Sequence, residues 1–173
     1  DKGLNPKAII PVDLFGLPAR HRLIKEKAKE HNLFIIDDAA QGFGGKIKNN
    51  LIGSFGDVSA TSFFPAKPLG CYGDGGAIFT NDDELASIMR SIRVHGGGVD
   101  KYQNIRVGLN GRLDTIQAAI LLEKFRIFPG EIDARNKFAK YYSDNISNRF
   151  IKPFVPKDYL SSWAQYSILI PDS

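Results

Sequence analysis

The segment with the most pointed chemistry is Ser62-Phe63-Phe64-Pro65-Ala66-Lys67-Pro68-Leu69-Gly70, followed by Gly73-Asp74-Gly75-Gly76. Lys67 is flanked by Pro65 and Pro68, so its backbone sits on a stiff turn and not on a solvated helix face. An amine that forms a Schiff base needs a fixed position and a lowered pKa, which burial and nearby cations supply. A surface lysine in a Pro/Gly turn has the same local sequence, and the segment alone leaves both readings open. The second cluster is Asp37-Asp38-Ala39-Ala40-Gln41. A carboxylate such as Asp38 at a strand end can bind a metal, cap a helix, pair with a cation, or keep a heteroaromatic ring nitrogen protonated so that the ring acts as an electron sink. A two-metal site built on Asp37 and Asp38 is disfavoured. Adjacent strand residues point to opposite faces, and no histidine or third acid lies nearby in sequence, so no metal site is expected. The third cluster is Gly108-Leu109-Asn110-Gly111-Arg112-Leu113. Asn110 and Arg112 near a helix start suit an anionic group, although a capping turn before an interface helix reads the same way.

These residues need elements to hold them. Ala8 to Val12 is a short apolar run that reads as a strand, made irregular by Pro11. Pro18 to Glu30 reads as a helix with Pro18 in its first turn and Leu23, Ile24 and Ala28 on its apolar face. Leu33 to Ile36 is a second apolar run. Strand, helix and strand in so few residues predict a parallel βαβ unit, with Asp37 and Asp38 at the C-terminal end of the second strand, where open α/β sheets bind ligands. Val58–Phe64 and Gly75–Thr80 read as two more strands, paired with each other. Asn81 followed by Glu84 resembles a capping box for a helix through Leu85, Ile88, Met89 and Ile92 that stops before Gly96. Leu113–Phe125 reads as an apolar helix broken by Pro129-Gly130, then a polar helix over about 131–148, and Ser167–Ile170 as a strand.

Composition removes several classes of function. The chain has 173 residues, 43% hydrophobic and 24% charged, with a formal net charge of +4. That is the mix of a globular protein of one domain, or one domain and the start of another. Its basic residues are scattered, and Lys25, Lys27 and Lys29 alternate with Glu26 and Glu30, a solvated helix face and not a nucleic-acid stripe. Cys71 is the single cysteine, so neither an internal disulfide nor a CxxC metal site exists within these residues. No apolar run approaches a bilayer span. Gly42-Phe43-Gly44-Gly45 lacks the GxGxxG spacing of a dinucleotide loop, and His95 before three glycines stays unassigned.

In combination and in this order the segments resemble the DegT/StrS family of sugar aminotransferases. The matching run is Val12-Asp13-Leu14-Phe15-Gly16, Asp37 through Gln41, Gly56-Asp57, Ser62 through Lys67, Gly73 through Ala77, Thr80-Asn81-Asp82, Arg93-Val94-His95-Gly96, Gly108 through Leu113 and Gln117-Ala118-Ala119. The resemblance implies an α/β fold: the large domain of a fold type I pyridoxal 5'-phosphate (PLP) transferase, a mixed, mostly parallel sheet with flanking helices, here a partial chain. Residues 1–128 would be part of the PLP-binding large domain, and 129–173 a connecting helix and the start of the small C-terminal domain. It implies that Lys67 is the Schiff-base lysine and proton shuttle. Asp38 becomes the pyridinium partner, Gln41 a contact near the phenolic oxygen and Ser62 a phosphate contact. Asn110 becomes the residue that reaches across a homodimer interface to the neighbour's cofactor, and Arg112 a contact to the nucleotide sugar. Pro68 through Asp74 is similar to the branch that aminates UDP-linked 3-keto sugars, notably a 3-keto-N-acetylglucosaminuronate, with glutamate as donor, in polysaccharide or O-antigen (lipopolysaccharide) precursor synthesis in the cytoplasm. The expected partners are thus nucleotide-sugar and amino-acid substrates, with no nucleic acid and no membrane.

Two departures qualify this. The family more often has Glu-Asp where this chain has Asp37-Asp38. Its members also run to about twice this length, with a phosphate-binding loop and a ring-stacking aromatic in a preceding segment. The alternatives are an inactive fragment or regulatory relative of the fold, and a PLP-dependent sugar dehydratase, which Lys67 disfavours because those members carry histidine there.

Overall fold

In a computed structural model the chain is described over residues 3–100 and 102–171. The outermost positions of the two expected domain ranges, 1, 2, 172 and 173, lie outside the described residues. The main sheet has four strands: β1 (Ala8–Ile9), β2 (Phe34–Asp38), β5 (Val58–Ser62) and β6 (Gly76–Phe79), in that spatial order. β1, β2 and β5 are parallel, and β6 runs antiparallel to β5. Helix α1 (His21–Glu30) makes the crossover from β1 to β2, the βαβ unit anticipated from the apolar runs. Between β2 and β5 the chain forms a small hairpin of β3 (Lys46–Ile47) and β4 (Asn50–Leu51), and β3 also pairs with β7 (Tyr159–Leu160). Helices α2 (Asp83–Arg93) and α3 (Thr115–Asn145) complete the described elements.

The pleat gives the sheet two unlike faces. Ile35, Asp37, Ser59 and Thr61 point to one side and are buried, whereas Phe34, Ala60, Gly76 and Ile78 on the other side are exposed. On the buried side α3 presents Leu121, Phe128, Ile132 and Ala139, spaced as one helical stripe, to a core that includes Phe63, Leu69 and Cys71. Phe43 joins it, edge-on to Phe63 and 5.6 Å from Phe128. A second cluster of Ala39, Ile52 and Phe55 seals the C-terminal end of β2. β6 is an edge strand, and a cleft of about 940 Å³ lies between it and α2, lined by Ala60, Ile78, Phe79, Met89 and Ile92.

Several expectations are corrected. Pro129 does not end a helix: α3 is continuous from Thr115 to Asn145 with Pro129 inside it. A mid-helix proline forfeits one hydrogen bond and crowds the preceding turn. Here the apolar stripe of Leu121, Phe128, Ile132 and Ala139 continues across it, so burial on both sides holds the two halves together. α1 begins at His21, three residues after Pro18, because Asp13 captures the Ala19 amide in the intervening turn. The cap of α2 is Asp82, whose carboxylate accepts from Leu85 N at 2.9 Å, not Asn81. Over 167–170 the chain makes an isolated bridge, Leu169 with Ile151, and no strand. Asn110 and Arg112 do not open α3, which starts at Thr115. They lie on an extended piece bridged to Val94 at the end of α2.

Candidate active site

The register of β2 and β5 sets Asp38 beside Ala60, and the pleat puts Ser62, two residues on, on the same open face. Asp38 is half-buried. Its Oδ1 accepts from Ala40 N at 3.1 Å, and Oδ2 makes no hydrogen bond among the described residues. The Ser62 hydroxyl accepts from Phe64 N at 3.2 Å, which leaves its own proton free to donate. Lys67 N donates to Phe64 O at 2.8 Å, closing the turn that carries Lys67 just beyond the end of β5. The Lys67 side chain is half-buried, and its amine has no hydrogen bond or ion pair to any described residue.

The chain just after Lys67 is held from α3 by three side chains that sequence reading missed. Gln117 grips Tyr72 at both ends, accepting from Tyr72 N at 2.8 Å and donating to Tyr72 O at 2.6 Å. The Lys124 amine donates to Gly70 O, and Arg135 donates to Pro68 O at 3.4 Å. The spacings of seven and eleven residues are close to whole numbers of helical turns, so all three project from one face. That periodicity of long polar side chains along one face of the helix was the available signal.

Gln41 sits in the turn after β2. Its Oε1 accepts from Phe15 N at 2.8 Å and its backbone oxygen accepts from the Ser162 hydroxyl at 3.0 Å, so the amide NH2 is the part left for a ligand. Phe15 belongs to the tight turn Leu14–Gly16. Gly16 is required there: its φ is +97°, and a Cβ would lie 2.4 Å from Ser162 Oγ and 2.8 Å from Trp163 N.

Behind Asp38, on the buried face, lies a cluster that sequence reading also missed. Asp13, His21 and Asp37 are between 0% and 2% exposed. His21 Nε2 is 2.7 Å from Asp13 Oδ1 and 3.8 Å from Asp37 Oδ1, and its ring stacks on Phe55 with centroids 4.2 Å apart. Ser59 Oγ donates to Asp37 Oδ2 at 3.1 Å. Asp13 Oδ2 and Asp37 Oδ1 are buried without a hydrogen bond. Burial, and secondarily the charge of Asp13, push the Asp37 carboxyl up to about 6, against the opposing pull of His21, Ser59 and the Gly53 backbone. The three residues belong to one βαβ unit and meet because β1 and β2 are adjacent and α1 returns over them.

Of the residues singled out from the sequence, Asp38 and Ser62 thus end the neighbouring strands β2 and β5 on one face, Gln41 follows in the turn after β2, and Lys67 follows in the turn after β5. Asn110 and Arg112 form a separate exposed pair, with Arg112 Nε donating to Asn110 Oδ1 at 3.0 Å and no hydrogen bond to the other four. On the surface of α1, Arg22 pairs with Glu26 and Lys27 with Glu30. No helix among the described residues is long and apolar enough to cross a membrane.

Known proteins resemble this chain in sequence and in fold. The UDP-2-acetamido-2-deoxy-3-oxo-D-glucuronate aminotransferase of Pseudomonas aeruginosa is 50% identical over 163 residues, covering 94% of this chain and 45% of that protein. The crystal structure of a DegT DnrJ EryC1 StrS aminotransferase from Brucella abortus superposes with a TM-score of 0.92 at 56% identity, covering 94% of this chain and 44% of that one. NtdA of Bacillus subtilis, solved with bound cofactor PMP, superposes with a TM-score of 0.81 at 29% identity, covering 94% of this chain and 38% of that one. The chain thus spans less than half the length of the proteins it matches. The fold is that of the fold type I large domain. With residues 4–173 matched by its model, this chain belongs to the DegT/DnrJ/EryC1/StrS aminotransferase family.

Proposed function

We propose that the whole protein is a PLP-dependent aminotransferase that moves the amino group of glutamate to a UDP-linked 3-keto sugar of the N-acetylglucosaminuronate class. The observation that carries this reading is the half-buried Lys67 amine, without a partner among the described residues, on a clamped turn at the strand ends where Asp38 keeps a carboxylate oxygen unengaged. The groups left over suit PLP one for one. They are a carboxylate for its basic ring nitrogen, an amide NH2 on Gln41 for its phenolic oxygen, a hydroxyl on Ser62 for its phosphate and an amine on Lys67 for its aldehyde carbon. Bound there, PLP supplies an electron sink for the carbon that loses its proton.

The protein's own groups do the rest. Asp38 keeps a proton on the ring nitrogen. The Lys67 amine would hold the cofactor at its aldehyde carbon and, as a free amine, would accept the proton of the donor's α-carbon and hand it on. The same amine returns a proton to the sugar carbon in the second half of the cycle. Arg112 offers a planar fork to the diphosphate of the nucleotide, and Asn110 reaches the neighbouring subunit's cofactor phosphate in a homodimer. Residues 1–128 act as part of the large PLP-binding domain and 129–173 as the connection into the small one. The product feeds polysaccharide or lipopolysaccharide precursors in the cytoplasm.

The test uses the full-length protein with glutamate and a panel of UDP-keto sugars. Lys67→Ala is expected to lose both the visible absorption band of the lysine-bound cofactor and all turnover, while its far-UV circular dichroism matches the wild type. Turnover that survives Lys67→Ala, or a wild type that takes up no PLP, sinks the reading.

A further inference from the structure

Two carboxylates and an imidazole taken out of water are costly, and well-packed apolar groups of the same size would serve stability at least as well. The Asp13–His21–Asp37 cluster is buried with two carboxylate oxygens making no hydrogen bond, so its upkeep calls for a use. Its connections indicate one. Asp13 Oδ1 gathers His21 Nε2 and the Ala19 amide, each at 2.7 Å. The Asp13 amide donates to Asp38 O at 3.1 Å, and the Asp38 amide donates to Pro11 O at 2.9 Å, with Val12 bridged to Asp38 between them. Two residues further, the Phe15 amide donates to Gln41 Oε1. Segment Pro11–Gly16 is therefore a bracket fastened to the backbone of Asp38 on both sides and to the side chain of Gln41. Phe15 holds a φ of +60°, a conformation that a non-glycine residue keeps only where its surroundings over-determine it.

We propose that Asp13, His21 and Asp37 are positioning residues that fix Asp38 and Gln41 for the cofactor. This rests on the PLP-dependent function proposed for the whole protein. Asp13 anchors the bracket from the α1 side through His21, and Asp37 anchors β2 one residue before Asp38 through Ser59 and the Gly53 backbone. The anchor depends on pH. Among the elements packed against the cluster, α1 brings His21, the 11–19 segment brings Asp13 and the Ala19 amide, β5 brings Ser59, and the 52–57 loop brings Phe55 and Gly53. Asp57 on that loop turns its carboxylate to the Ile35 amide instead. Asp13, His21 and Asp37 are thus the charged groups that face one another. While Asp37 is protonated, the Asp13–His21 contact holds the α1 end of the bracket without a competing charge. Once it ionises, its buried charge opposes that of Asp13 across the ring, against the pull of His21, Ser59 and the Gly53 backbone, and that end of the bracket loosens.

The test measures two quantities on the full-length protein, below and above the Asp37 transition: amide hydrogen exchange at Phe15 and Asp38 in the apoprotein, and PLP affinity by titration. His21→Phe keeps the stacking on Phe55 and removes the N–H. It is expected to speed exchange at both amides and to weaken PLP roughly tenfold, the lower end of what outer-shell hydrogen-bond partners cost elsewhere. His21→Gln, which can return a nitrogen donor to the place of Nε2, recovers part of both. Asp37→Asn removes the pH dependence of both. A folded His21→Phe protein with unchanged exchange and affinity overturns the proposal. So does a wild type that retains a stoichiometric metal ion lost on Asp37→Asn, because the cluster would then hold a metal and not a proton. If the wild type takes up no PLP, the functional reading falls separately and the exchange rates alone decide the anchor.

Discussion

Asp37 and Asp38 are neighbours on β2, yet Asp37 is fully buried among Asp13, His21 and Ser59, while Asp38 on the opposite face is half-buried beside the small Ala60. The same contrast divides the whole sheet. One face is closed by α1, α3 and the Phe43 cluster, and the other is left to small or exposed side chains with polar groups at its C-terminal end. A carboxylate on the closed face must find its partners inside the fold or give up its charge, whereas one on the open face can keep an oxygen for a ligand. Two chemically identical residues, one position apart, thus meet opposite surroundings, one closed inside the fold and one open to a ligand, and the pleat decides which is which.

The sharpest way to break that division is to neutralise each acid in turn. In the full-length protein Asp38→Asn is expected to lower kcat by roughly 10²–10⁴-fold, the range of a well-placed proton-holding group, with thermal stability shifted little. A loss of stability with intact turnover would invert the assignment of the two faces. Next in size is the closed face itself. Phe128 is 5% exposed at the centre of the core, and Phe128→Ala is expected to cost about 3–5 kcal/mol in urea denaturation.

Asp37 gives a smaller effect with a distinctive sign. Its carboxyl is raised to about 6 in the folded protein, above its ordinary value of 3.8. The folded state therefore binds the proton more tightly than the unfolded chain. The resulting stabilisation is present in full below the ordinary value and is lost as pH rises through about 6. Carboxylates lowered by ion pairs behave in the opposite way. Asp37→Asn should flatten this part of the melting-temperature profile and melt above the wild type on the alkaline side of the transition. A wild-type profile that rises through this window because of Asp37 would contradict the burial argument.

The parts of this arrangement legible in the sequence were those written in short range. The apolar runs of β1 and β2 and the helix between them gave the parallel unit, and the position of Asp38 at a strand end came with it. Lys67 was marked by its two prolines. What stayed hidden was set by distance along the chain. His21 gains its meaning from Asp13 and Asp37, and Gln117, Lys124 and Arg135 from a turn 45 to 67 residues earlier. Pro129 misled because its local cost is fixed by chemistry, whereas its compensation, a core stripe running past it, is tertiary. Asn110 and Arg112 were placed at a helix start because the apolar pattern begins at Leu113, yet the chain stays extended through Asp114 and the helix begins at Thr115.

The smallest expected effect tests the open face directly. Ile78 lies on β6 opposite Ala60, on the bare side, and is 56% exposed. A large apolar side chain left in water contributes little to folding, so in the 173-residue chain Ile78→Ser should change stability by no more than about 0.5 kcal/mol. The relatives are more than twice as long as this chain, and β6 offers an unpaired edge with an apolar cleft beside it. In the full-length protein the same substitution is expected to cost about 1–3 kcal/mol, the worth of a buried aliphatic side chain. Equal costs in the two proteins would mean that the face stays open to solvent. The polar groups at its end would then lack the dry enclosure that makes a lysine amine and a carboxylate effective on a bound cofactor.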